Sequence, residues 1–120
     1  MTKAFPAKHQ LTYADRHTEP LHEHQWTVRV VCEAADLDNT GMGLDFVSLD
    51  GKLEAVVKRF RGQVLNKTSP FLDRNPTAEN MARYVFQHLA ADPELSNRVR
   101  VKKVWVSEAE GFRASYSEGA

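Results

Sequence analysis

One cysteine stands in the 120 residues, Cys32. It cannot form an internal disulfide, and a lone thiol suits a reducing compartment. Nowhere do ~18 apolar residues run together, and the opening MTKAFPAKHQ has no apolar h-region, so the sequence predicts neither membrane insertion nor export and points to a cytoplasmic protein. Charge of one sign is also lacking: 16 Lys and Arg offset 16 Asp and Glu. No run of like charge exceeds the pairs Arg98/Arg100 and Lys102/Lys103. A nucleic-acid or anionic-membrane partner would need a concentrated basic patch, so neither is expected. Internal repeats and low-complexity tracts are missing too. At this length the chain reads as a single domain over 1–120, large enough for one core and too short for two.

What is there alternates. In HQWTVRVVCE, from His24 to Glu33, Trp26, Val28, Val30 and Cys32 alternate with Gln25, Thr27, Arg29 and Val31, the pattern of a strand with one buried face. A shorter strand, roughly Thr2 to Leu11, precedes it across the polar loop TYADRHTEP, and the turn-rich DLDNTGMG follows it. The period then changes. Leu49, Leu53, Val56, Val57 and Phe60 recur at helical spacing, with Asp45 or Ser48 as N-cap and Gly51 weakening the first turn. Beyond the loop RGQVLNKTSPFLDRNP, a second helix is expected from Thr77, with Glu79 in its first turn, Met81, Val85 and Leu89 on one face, and Pro93 as its stop. RVRVKKVWVSE and FRASYSE, joined by a turn at AEG, are rich in β-branched and aromatic residues. The order ββααββ predicts an α+β fold: an antiparallel four-stranded sheet with two helices packed on one face.

Two of the five histidines fall in PLHEHQW, at His22 and His24. Residues i and i+2 of a strand share a face roughly 7 Å apart, so the pair can converge on one ion. His9, on the opening strand, supplies a third imidazole if the two strands pair. Three neutral imidazoles with an open fourth position make the donor set of catalytic rather than structural zinc. His88 falls late in the second helix, where it suits the helix dipole.

The sequence resembles the 6-pyruvoyltetrahydropterin synthase and 6-carboxytetrahydropterin synthase family, small T-fold proteins. FPAKHQL is similar to the family's F-x-A-x-H, LHEHQW to L-H-G-H-N-Y, GMGLDFVSL to G-M-V-x-D-F-x-x-L, VLN to the end of L-D-H-x-x-L-N, NPTAENMA to N-P-T-x-E-N, and VWVSEAEGFRASY to the closing V-x-V-x-E segment. The resemblance implies one zinc per subunit held by His9, His22 and His24. It also implies that Glu108 grips the 2-amino and ring N–H groups of a pterin, as a carboxylate accepting two parallel hydrogen bonds can. Thr77, Asn66 and Trp26 join Glu108 as substrate-binding candidates, although Thr77 serves equally as a helix cap. Family members close into rings, so a homotrimer or homohexamer with inter-subunit sites and a small-molecule substrate is implied.

Two departures matter. The family's catalytic cysteine, about four residues before the first paired histidine, is here Thr18, whose hydroxyl is too weak an acid to replace a thiolate. Cys32, eight residues past His24, is on the order of 25 Å from the metal along a strand. The Asp-His proton relay has become Arg61 and Gly62, neither able to do acid–base work at neutral pH. One branch of the family carries glutamate for cysteine in E-x-x-H-G-H, and EPLHEH fits that spacing with Glu19. His17 and Glu23 are further proton-transfer candidates. These features favour a zinc enzyme diverged toward a lyase, isomerase or ring-closing reaction. The alternatives are a pterin synthase acting on dihydroneopterin triphosphate through Glu19, and a non-catalytic subunit whose zinc is closed by a fourth protein ligand.

Overall fold

The structure is a computed structural model that describes residues 1–34, 46–109 and 111–118. Asp45, the DLDNTGMG turn, the GMGLD part of the third motif and Glu110 lie outside the described residues. Four strands, β1 (Thr2–His9), β2 (His22–Ala34), β3 (Val99–Ala109) and β4 (Phe112–Tyr116), form one sheet in the order β1-β2-β3-β4, every neighbouring pair antiparallel. Between β2 and β3 come α1 (Phe46–Val57), α2 (Ala78–Ala90) and α3 (Pro93–Ser96). This is the expected α+β sheet.

Alternation sets the buried face. Phe5, Ala7 and His9 of β1 are buried, as are Trp26, Val28 and Val30 of β2. On β3 the buried set is Val99, Val101, Val104 and Val106, which changes parity between Val101 and Val104. There Val31 pairs with Lys103 but Cys32 pairs with Val101. Lys102 is therefore one residue extra, a bulge that restores the valines to the core side. The doubled lysine of VKKV was its trace in the sequence.

Helix α2 buries Met81, Ala82, Val85, Phe86 and Leu89 against the sheet, and the Thr77 side chain caps it by accepting from Asn80 N. Leu49, Leu53, Val56 and Val57 of α1 join the same core. Fully burying an aliphatic side chain of this kind contributes about 1.5–3 kcal/mol. The third helix is a correction to the expected pair. Pro93 does follow the end of α2, but it also starts a turn of its own, because a proline at the first helical position loses no hydrogen bond. Asp92 caps that turn by accepting from Leu95 N at 3.1 Å, and Lys52 of α1 binds Asp92 and Glu94 at 3.0 Å each.

Candidate metal centre

The register of β1 and β2 builds the site. His9 lies directly opposite His22, and Ala7 opposite His24, so the last residue of one strand meets the first and third of the next. One ligand nitrogen from each of the three histidines lies within 4.8 Å of the others. Two carboxylates flank the cluster, Glu108 beside His9 and Glu19 beside His22.

Outer partners set the tautomers. His9 Nδ1 lies 2.8 Å from the Pro76 carbonyl and His22 Nδ1 3.0 Å from the Pro20 carbonyl. A carbonyl only accepts, so both Nδ1 atoms donate, which leaves Nε2 of each ring as a lone pair. Metal-binding histidines are held in this way. Burial pushes the His9 pKa down, outweighing the upward pull of Pro76 and Glu108, with His22 and His24 adding to the lowering. A neutral ring is the form that a metal requires.

Glu108 Oε2 lies 3.3 Å from His9 Nε2 of the same chain, and both atoms are buried without a hydrogen bond. With its proton on Nδ1, the ring presents a lone pair to a carboxylate oxygen. Two buried acceptors at that distance repel unless a proton or a metal cation lies between them. The residues therefore fit a divalent metal.

The chain past His9 is held by two asparagines. Asn66 accepts from Gln10 N at 2.9 Å and donates to Gln10 O at 2.8 Å. Asn75 does the same for Thr12, at 2.9 and 2.7 Å. Along β1 itself, Gly62 N donates to Pro6 O and Lys8 N to Gln63 O. Gly62 has a φ of +71°, a left-handed turn that suits glycine. Arg61, beside it, is bound to Glu54 through both guanidinium nitrogens. Arg61 and Gly62 thus make structural contacts here.

The carboxylate of Glu19 stands beside His22, with Oε1 3.7 Å from Nε2. Its Oε1 accepts from Leu11 N at 3.1 Å and its Oε2 from the Tyr13 hydroxyl at 3.3 Å. His17 is exposed and stacks on Tyr13. Glu23 points away: the alternation that unites His22 and His24 turns it to the other face, opposite Lys8. Trp26 has no exposed surface. It stacks on Phe5 at 6.4 Å and meets His9 edge-on at 5.0 Å, so it forms the floor under the cluster rather than a wall open to substrate. Thr77 spends its hydroxyl oxygen on capping α2, and Asn66 spends its amide on Gln10. Thr77 and Glu108 also line a cleft of about 300 Å³ with Leu11, Glu79, Phe112 and Arg113. Cys32 is half-buried, and burial raises its pKa, which keeps the thiol protonated.

Residues 1–119 match the family model described as 6-pyruvoyl tetrahydropterin synthase. The chain belongs to that family. Among solved structures, it is similar to the Caenorhabditis elegans 6-pyruvoyl tetrahydropterin synthase, with a TM-score of 0.78 and 21% identity over 99% of this chain and 93% of that one. A catalytic-residue mutant of the Plasmodium vivax 6-pyruvoyltetrahydropterin synthase, with glutamate changed to alanine, gives 0.77 and 18% over 98% of this chain and 92% of that one. An uncharacterized protein from Wolinella succinogenes gives 0.71 and 18% over 99% and 97%. At such identities the likeness is one of fold, and it confirms the T-fold. No curated sequence matches.

Tyr13, Asn75 and Pro76 are site residues that sequence reasoning missed. The Asn-Pro of NPTAEN was a visible signal for two of them. Tyr13, in a polar loop, carried none.

Proposed function

We propose that this family member is a zinc-dependent enzyme, one zinc per subunit, in which His9, His22 and His24 hold the metal and Glu19 moves a proton. The observation that carries this reading is the buried lone pair of His9 facing the buried Glu108 oxygen, an arrangement that asks for a cation. Zinc, when bound, would supply Lewis-acid polarisation of a substrate oxygen. The remaining work falls to the chain. Glu19, anchored by Leu11 N–H beside His22, is placed to take or return a proton at an atom next to the metal. Glu108 opens onto the 300 Å³ cleft, where its carboxylate can accept hydrogen bonds from an N–H-bearing ring.

The chemistry we favour is a lyase, isomerase or ring-closing step on a small carbonyl- or heterocycle-containing substrate, diverged from pterin synthesis. Losing the relay to Arg61 and Gly62 supports divergence. So does the scarcity of cations for a triphosphate: of Lys8, Arg16, Arg61 and Arg113, only Arg113 lines the Glu108 cleft. One observation favours the second reading, a pterin synthase acting on dihydroneopterin triphosphate: in the Plasmodium vivax structure the catalytic residue changed is a glutamate, and Glu19 is the candidate counterpart. By family membership a homotrimer or homohexamer in the cytoplasm is part of the proposal.

Turnover of the zinc-loaded protein with dihydroneopterin triphosphate, followed by mass spectrometry beside Glu19→Gln, separates the two. The favoured reading expects no pterin product from folded, zinc-occupied protein. A product that disappears in Glu19→Gln overturns it in favour of the pterin synthase.

A further inference from the structure

Glu19 is close enough to become a metal ligand, yet it is held in another role. In a tetrahedral zinc site with bonds of ~2.0–2.1 Å, neighbouring ligand atoms stand about 3.4 Å apart. Glu19 Oε1 is 3.7 Å from His22 Nε2, so a small side-chain rotation would bring it to the fourth position. Two hydrogen bonds oppose that rotation. Leu11 N–H holds Oε1 at 3.1 Å, and the Tyr13 hydroxyl holds Oε2 at 3.3 Å. The loop that carries them is itself fastened: Glu19 N donates to Leu11 O at 3.0 Å, Tyr13 N to His17 O and Arg16 N to Tyr13 O at 2.8 Å each. Asn75 grips Thr12 from both sides. The His17 ring lies against Tyr13, 6.1 Å between centroids and 25° between planes, so the phenol has a preferred direction although half of its surface is exposed.

We propose that Tyr13 is a positioning residue: its hydroxyl holds the Glu19 carboxylate beside the three-histidine cluster and out of it, keeping the fourth metal position open. This rests on the reading of Glu19 as the base. It goes further by naming what separates a base from a ligand at the same distance. Without the hydroxyl, Oε2 loses its donor, and only Leu11 N–H on Oε1 still opposes a turn toward the metal. The site would then change from three protein ligands with an exchangeable position to four without one.

Cobalt-substituted protein tests this without turnover. Cobalt(II) replaces zinc in such sites, and its visible spectrum responds when azide enters an open position. The wild type should show an azide-dependent change. Tyr13→Phe, which keeps the ring on His17, should lose most of it and bind cobalt about tenfold more tightly, the scale on which outer partners move metal affinity. Tyr13→Phe combined with Glu19→Gln should recover both the azide response and the wild-type affinity, which separates Glu19 from Glu108 as the invading ligand. A Tyr13→Phe protein that takes azide as the wild type does overturns the proposal and leaves the role of Glu19 to the turnover assay. Failure of the double variant to recover overturns it as well. A wild type that binds no cobalt overturns the metal reading and this proposal together.

Discussion

Replacing Glu108 by glutamine should stabilise the metal-free protein, an unusual direction for a change at a candidate site residue. In the native chain the buried Glu108 Oε2 and His9 Nε2 stand 3.3 Å apart and neither has a hydrogen-bond partner. Glutamine has nearly the same shape and puts an N–H₂ group within reach of the His9 lone pair. A neutral hydrogen bond contributes about 0.5–1.5 kcal/mol, and relieving an unsatisfied buried acceptor is of the same order. Glu108 is part-exposed, 28% by side chain, so the lower end applies, and about 1 kcal/mol is expected. For a domain of this size that raises Tm by about 4 °C. With zinc at 100 times its Kd, binding stabilises the native protein by ~2.7 kcal/mol, and the variant should gain less because glutamine lacks the negative charge that accompanies the cation. Urea unfolding at fixed protein concentration, with chelator and then with zinc, measures both effects. A Glu108→Gln protein that is less stable than wild type in chelator would refute the lone-pair argument, because it would mean that the carboxylate already has a stabilising partner in the metal-free state.

Asn66→Ala and Asn75→Ala each remove two hydrogen bonds from the chain beyond His9; each should cost about 1–3 kcal/mol by urea unfolding and weaken zinc binding about tenfold in a competition titration. Glu54 is held down to about 2, chiefly by the hydrogen bond from Arg61 with Lys3 adding to it. Its folded pKa is depressed, so its contribution is present above the unfolded value, falls as pH drops through that value and is gone below about 2. Glu54→Gln should therefore flatten the acid limb of the stability curve across that window, and an unchanged limb would show that the Arg61 and Lys3 contacts do not persist in solution.

The elements that were legible owe it to period. Alternation along HQWTVRVVCE placed Trp26, Val28 and Val30 inside and put His22 and His24 on one face, and the same rule, carried one residue further, separates Glu23 from both. What it could not show is depth: Trp26 shares the histidines' face but lies over Phe5, where strand pairing closes the core around it. The proline rule stopped α2 correctly and hid α3, because a residue that ends one helix is also well suited to begin the next. Glu108 was reached through a family motif, whereas its approach to His9 of its own chain depends on the β2–β3 register, which the bulge at Lys102 shifts. Tyr13 acts through a loop that carries no sequence signal, and although NPTAEN marks Asn75 and Pro76, neither period nor residue type shows that Asn75 reaches Thr12, 63 residues away.

That three histidines of one chain hold a metal is tested by zinc content after metal-free protein is dialysed against zinc and then against buffer, for the wild type and for His22→Ala. His22 is partly exposed, so its loss leaves the core intact. One zinc per wild-type chain and almost none for the variant are expected. Equal zinc in both proteins, or none in the wild type, would contradict the three-histidine site.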